Sequence, residues 1–418
     1  MTRAMKDSGI EWIGEIPKDW DLMRLQFCLN EIKEKNLPVK SEQVLSLVKD
    51  KGVMPYEEKG NVGNVAKEDI SEYKLAYPNT LILNSMNILI GSVGISKYFG
   101  CVSPVYYVFK ETKMSDLRFI NYIFTTNEFQ KELRKYANGI MEIRLRVSAQ
   151  DIFKRIIAYP NKQEQIKIAD FLDEKCSHID SVLEKVRASI DEYKQLKQSV
   201  ITQAVTKGVR PNRPMKDSGI EWIGEIPQDW KVIKGKNVLE LLSKPVKETD
   251  TVITCFRDGE VTLRSKRRED GFTISLQEIG YQGIDIGDLV VHGMDGFAGA
   301  IGISDSRGKG TPVLSVLDSK QNKKYLMYYL RAMAFNGVFI ALSTGIRVRS
   351  CDTSWNKLKN LPYPIPTEDE QVEIVAYLDD KCFEIDKLIT KKEQLIAELE
   401  TYKKSLIYEY VTGKKEVK

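Results

Sequence analysis

The stretch EQIKIADFLDEKCSHIDSVLEKVRASIDEYKQLKQSVITQAVT, residues 164 to 206, returns at residues 370 to 412 in the same register. Glu164-Gln165 meets Glu370-Gln371, Leu172-Asp173 meets Leu378-Asp379, Lys175-Cys176 meets Lys381-Cys382, and Ile179-Asp180 meets Ile385-Asp386. The chain is therefore a tandem duplication. In the first copy Leu172, Cys176, Ile179, Leu183, Val186, Ile190, Tyr193, Lys197, Val200 and Ala204 alternate spacings of four and three, the apolar seam of a coiled coil. Leu378, Cys382, Ile385, Ile389, Lys392, Ile396, Leu399, Lys403, Leu406 and Tyr410 repeat it. Asn161 with Glu164, and Thr367 with Glu370, read as N-caps with capping-box glutamates, while Gly208 and Gly413 read as C-caps. Each helix should run about 45 residues, or roughly 65 Å at 1.5 Å per residue, longer than an ordinary domain is wide.

Three seam positions are lysines: Lys197 and Lys403 at equivalent places, and Lys392. Such side chains either snorkel to the seam's edge or fix the register of the pair.

A second repeat flanks the first. Residues 5 to 20, MKDSGIEWIGEIPKDW, and 215 to 230, MKDSGIEWIGEIPQDW, differ only at Lys18 versus Gln228. They hold Trp12, Trp20, Trp222 and Trp230, four of the five tryptophans, and read as structural latches opening each half. Between the first helix and the second latch, TKGVRPNRP is a short linker.

Residues 21 to 160 and 231 to 366 form two globular blocks. At an offset of 208, residues 81 to 105 match 289 to 313 without a gap, as short strands with glycines expected to hold the turns. A helix is expected over 115 to 137 and another over 320 to 334. Ser148 and Ser354 begin short segments that stop before Pro160 and Pro362. The expected fold is α+β: two similar α/β blocks joined by two long antiparallel coiled-coil helices with pseudo-twofold symmetry. The expected domains are 1–160, 161–208, 209–366 and 367–418. In that arrangement the helices form a rod with a block at each end.

Net charge is +4, from 63 Lys and Arg against 59 Asp and Glu, so any nucleic-acid surface must be local. Six cysteines without a CxxC pair, and only His178 and His292, argue against a zinc site; Cys176 and Cys382 read as small seam residues. Without a signal peptide or a long apolar run, a soluble intracellular protein with reduced thiols is expected. Gly308-Lys309-Gly310-Thr311 lacks the spacing and the Ser/Thr of a phosphate-binding loop, and Asn360-Leu361-Pro362-Tyr363 departs at Leu361 from the Asn-Pro-Pro-Tyr motif of adenine methyltransferases. No catalytic residue, metal site or cofactor is expected.

The chemistry that the blocks offer is DNA contact, because phosphates call for Lys and Arg on loops and base edges for forked donors. In the first block the candidates are Lys59, Asn61, Asn64, Lys97, Tyr98, Arg144 and Arg146. In the second they are Arg257, Arg264, Lys266, Arg267, Arg268, Arg307, Lys309, Arg347 and Arg349. A coiled-coil adaptor with protein-binding ends is the alternative reading.

The latch GIEWIGEIPxDW, the Pro-x-x-x-Glu-Gln entry to each helix (Pro160 to Gln165, Pro366 to Gln371) and the block-helix-block-helix order resemble the specificity subunit of type I restriction-modification systems. The resemblance implies two target recognition domains on conserved spacer helices, each reading half of a bipartite site in double-stranded DNA. It also implies two adenine methyltransferase subunits and restriction/translocase subunits as partners, in a prokaryotic cytoplasm.

Overall fold

The computed structural model describes residues 3–49, 51–60, 65–67, 69–138, 145–268, 271, 278–342 and 352–417. The chain divides into two compact units: Met1–Val186 with Glu393–Lys418, and Arg187–Lys392. The two units use the same elements in the same order.

In the first unit an antiparallel sheet runs Leu29–Ile32, Tyr106–Glu111, Leu81–Asn84, Val93–Ile95. In the second it runs Glu240–Leu241, Leu314–Asp318, Leu289–His292, Ile301–Ile303. The surrounding two-stranded pairs also correspond. Leu45–Val48 with Gly52–Pro55 matches Ile253–Cys255 with Val261–Leu263, and Lys74–Ala76 with Gly100–Val102 matches Gln282–Ile284 with Gly308–Gly310. Behind each sheet lies a small apolar core built on the same positions: Leu45, Leu47, Val53, Ala76, Ile82 and Val108 in one, Ile253, Cys255, Val261, Ile284, Val290 and Val316 in the other.

The glycines do more than hold turns. Gly91 and Gly299 have φ of 80° and 94° and close tight turns. Gly94, Gly100, Gly302 and Gly308 instead sit inside strands pressed against neighbouring backbone. A Cβ on Gly100 would lie 2.7 Å from the Gln43 carbonyl oxygen, and one on Gly308 2.5 Å from that of Thr251. Gly308–Gly310, the segment reminiscent of a phosphate loop, is an ordinary strand.

The helix expected over 115 to 137 is two helices, Leu117–Thr125 and Asn127–Arg134. Thr126 breaks it: its backbone is extended and its hydroxyl caps the second helix by accepting from the Phe129 N–H. The counterpart in the second unit is likewise two helices, Lys323–Phe335, which starts from an Asn322 cap, and Val338–Ala341. Ser148 caps a short helix as expected, but that helix is only Ala149–Phe153 and Ile156–Tyr159 before Pro160 is a strand; Ser354 likewise precedes Trp355–Leu358 and the strand Pro362–Ile365.

The long helices are Lys162–Lys207 and Glu368–Val411, ended by Gly208 and Gly413 at φ of 74° and 73°. Asn161 caps the first through the Glu164 N–H at 3.0 Å. The glutamates, however, do not reach back in a capping box. Glu164 receives Arg3, which also grips Asp19, and Glu370 receives Arg213, which also grips Asp229. Gln165 and Gln371, both buried, tie the same helix starts to the blocks: each oxygen accepts a backbone N–H, from Asp116 and Asn322 respectively.

Within each unit the start of one long helix packs antiparallel on the end of the other. In the first unit Asp180 meets Lys403 at 2.6 Å and Phe171 meets Tyr410; in the second Lys197 meets Asp386 at 2.6 Å and Lys392 lies over Tyr193. Leu172, Cys176, Ile179, Leu183, Val186, Ile190, Leu378, Cys382, Ile385 and Ile389 are buried, and Ile396 and Leu399 are partly so. Lys197 and Lys403 thus find a carboxylate at the seam's edge, whereas Lys392 lies over a ring, and the two ion pairs favour the register-setting reading: any slip of the helices separates both. Asp173 and Asp379 likewise face their own block, accepting from Tyr122 and Tyr328 at 2.7 and 2.8 Å.

Candidate nucleic-acid interface

Both units carry a concavity in the same place. In the second unit it is a cavity of about 710 Å³ lined by Phe256, Arg257, Asp258, Arg264, Arg267, Arg268, His292, Asp295, Thr311 and Leu314, among others. In the first it is about 290 Å³, with Val48, Lys49, Tyr56, Lys59, Asn84, Asn87, Ser103 and Tyr106 in its lining. The offset of 208 carries one lining onto the other: Lys49 to Arg257, Tyr56 to Arg264, Lys59 to Arg267, Asn84 to His292, Asn87 to Asp295, Ser103 to Thr311 and Tyr106 to Leu314. The hairpin Leu45–Val48/Gly52–Pro55 and its counterpart supply one wall. The helical turns Tyr56–Lys59 and Arg264–Arg267 supply the cations.

The fixed turns in these cavities set what the side chains present. Arg257 reaches Asp295 at 2.8 Å while remaining 67% exposed, and Arg267 bridges Asp258 and Glu260 beneath its stack on Phe256. Burial holds His292 below the ordinary imidazole value; nearby Asp295 opposes that shift and Arg257 adds to it. The His292 Nδ1 accepts the Met294 and Asp295 N–H groups, which only an unprotonated ring nitrogen can do.

Of the sequence candidates, Arg257, Arg264, Arg267 and Arg268 converge in the second cavity, and Lys59 lies in the first, over the Tyr56 ring. Arg146 sits beside it, its guanidinium 3.6 Å from Met86 Sδ. Others are placed elsewhere. Lys266 bonds Ser306, Lys309 pairs with Glu278 at 2.6 Å, and Arg307 is committed to Asp250, Asp285 and the Pro245 carbonyl. Lys97 is exposed, and Tyr98 packs against the small core. Asn61, Asn64, Arg144, Arg347 and Arg349 lie outside the described residues. Lys49, Asn84, Asn87, His292 and Asp295 were not singled out in the sequence; carrying the 208 offset upstream to residues 45 to 60 would have found Lys49.

The Arg307 cluster has a pH signature. Asp285, bonded first to Lys244 and then to Arg307, is held down to about 2. A depressed carboxylate stabilises the fold above its ordinary value near 4, and that contribution is lost as pH falls towards 2. Carboxyl NMR is expected to show Asp285 titrating near 2 in the native chain and nearer 4 in Lys244→Met. An unmoved titration in the variant would disprove the coupling.

Among the described residues no group of three or more His, Cys, Asp or Glu is placed to hold a metal ion. None of their helices is long and apolar enough to cross a membrane.

Comparison with known proteins agrees with this geometry. Residues 17–190 match the type I restriction modification DNA specificity domain. Over 96% of its length the chain is 24% identical to the MjaVIII specificity subunit of Methanocaldococcus jannaschii, covering 94% of that protein. It is 23% identical to the putative MjaX specificity subunit of the same organism, over 97% of this chain and 96% of that one. In fold, it matches a chain from a type I R-M system studied for complex assembly and conformational transition, at TM-score 0.69 and 13% identity over 96% of this chain and 99% of that one. It also matches the HsdS subunit of Thermoanaerobacter tengcongensis, at TM-score 0.52 and 14% identity over 96% and 98%. With its duplicated blocks, latches and long helices, the chain is similar along nearly its whole length to type I restriction-modification specificity subunits, and residues 17–190 carry the match to their DNA specificity domain.

Proposed function

We propose that this chain is the non-catalytic DNA-reading subunit of a type I restriction-modification complex and recognises a bipartite, asymmetric site. The observation that carries the reading is the pair of corresponding cavities. Two cations correspond, Lys49 and Lys59 to Arg257 and Arg267, the second cavity adds Arg264 and Arg268, and the polar groups beside them differ, Asn84 and Asn87 against His292 and Asp295. Phosphates are the same in every half-site and bases are not, so two related readers should keep their cations and vary the rest.

In this reading residues 1–160 and 209–366 are the target recognition domains, and 161–208 and 367–418 are the spacers whose length sets the gap. Half-sites of 3 to 4 bp centred one helical turn apart leave a gap of about 6 to 7 bp. Two adenine methyltransferase subunits supply methylation and restriction/translocase subunits supply cleavage, all docked on this chain in the prokaryotic cytoplasm.

The test is selection from a randomised duplex library by the chain reconstituted with its methyltransferase subunits, repeated across a salt series. A selected sequence with two defined parts around undefined base pairs is expected, with affinity falling steeply as salt rises. A single contiguous site, or no DNA affinity even at low salt, would return the chain to the adaptor reading.

A further inference from the structure

Asn84 and His292 end equivalent strands, paired with Tyr106 and Leu314, and both line their unit's cavity. They differ in size and chemistry, yet the turn that follows each uses them in one way. Asn84 Oδ1 accepts the Met86 N–H at 3.1 Å; His292 Nδ1 accepts the Met294 N–H at 3.2 Å and the Asp295 N–H at 3.0 Å. Met86 and Met294 are themselves equivalent at the offset of 208.

Both acceptor ends are thereby held by the backbone. An amide whose oxygen takes a backbone N–H directs its NH2 away from that contact, and a neutral imidazole whose Nδ1 accepts carries its proton on Nε2. Two different side chains thus arrive at the same function, a neutral N–H donor fixed by the backbone behind it.

We propose that Asn84 and His292 are specificity-determining residues, each donating an N–H to a hydrogen-bond acceptor on a base edge of its own half-site. This rests on the DNA-reading function proposed above. In the major groove the acceptors are guanine N7 and O6, adenine N7 and thymine O4, whereas cytosine N4 offers a donor and is rejected. A base edge rather than a phosphate follows from three features. The donors carry no charge, Asn84 is only 5% exposed, and the residue changes between units while the cations at Lys49/Arg257 and Lys59/Arg267 keep their sign.

The test uses the reconstituted complex and the same randomised library. Asn84→Asp keeps the oxygen that holds Met86 but replaces the donor with an acceptor. It is expected to weaken binding of the original first half-site about tenfold or more, and to shift one position of that half towards cytosine or adenine, whose amino groups donate. The second half should not change. His292→Asn installs the first unit's donor in the second and should keep an acceptor-bearing base at the corresponding position, whereas His292→Asp should lose it.

Unchanged selection by both Asn84→Asp and His292→Asp would overturn the assignment. So would a loss spread evenly over all half-site sequences, which would make the acceptor a phosphate. If the native complex itself lacks salt-sensitive DNA binding, the DNA-reading function fails, and that outcome is distinguishable because it appears before any substitution is made.

Discussion

Replacing Trp230 with alanine is expected to destabilise the second unit by about 3 to 5 kcal/mol, the range for removing a large aromatic from a packed core. The indole is fully buried, meets Tyr325 edge-on and lies under the Arg213 guanidinium. Its Nε1–H donates to Glu370 Oε2 at 3.0 Å, and that carboxylate is itself fully buried. Alanine would therefore leave both a void and a buried carboxylate with one donor fewer. Phenylalanine separates these losses. Trp230→Phe gives up the hydrogen bond, whereas Trp20, the equivalent residue, has no acceptor for its Nε1 among the described residues. Trp230→Phe should therefore cost about 1 kcal/mol more than Trp20→Phe. Hydrogen exchange of the amides in Lys323–Phe335 is the measurement, since a chain of two units need not unfold in one step. Protection reduced by less than about 1 kcal/mol in Trp230→Ala would refute the role given to the latch.

That role also explains why the two latches are nearly identical while the blocks have diverged. Each latch must fit the start of one long helix and the end of the other. In the first unit Arg3 ties Asp19 of the latch to Glu164, and a Cβ on Gly413 would come within 2.4 Å of Pro17. In the second unit Arg213 ties Asp229 of the latch to Glu370, and a Cβ on Gly208 would meet Trp230 at 3.3 Å. A segment bound on two sides tolerates little change, and loops around a cavity are bound on one.

The same contrast decides what the sequence could reveal. The long helices were legible to within a few residues because their signals are local: a heptad seam, an Asn161 cap and left-handed glycines at 208 and 413. The break at Thr126 was not, because threonine inside an apolar-periodic run reads as an ordinary helical residue until its hydroxyl is seen capping Phe129. Glu164 and Glu370 were given capping-box roles because that partner is three residues away, while the partners they have, Arg3 and Arg213, are 161 and 157 residues away. The cavities were least legible. Residues 45 to 60 and 253 to 268 share little identity, so the equivalence of Lys49 with Arg257 and Lys59 with Arg267 follows only from carrying the 208 offset upstream, which the matching strand pairs support.

The second large effect is expected from those cations. Removing Arg257, Arg264, Arg267 and Arg268 together, as alanines, should flatten the plot of log affinity against log salt by about 2 to 3, since each phosphate contact contributes close to 0.9. The drop should fall short of four full contacts, because Arg267 must first leave Asp258 and Glu260, and Arg257 must leave Asp295. At low salt the variant should bind DNA more weakly by orders of magnitude and lose selection in the second half-site, yet still select the first half through the cavity of Lys49 and Lys59. Lys320→Ala, a cation of the same unit outside the cavity, serves as the control and should leave the slope within about one unit of the native value. An unchanged slope in the fourfold variant would move the DNA surface away from this cavity. Loss of both half-sites together would mean that the two readers do not act separately.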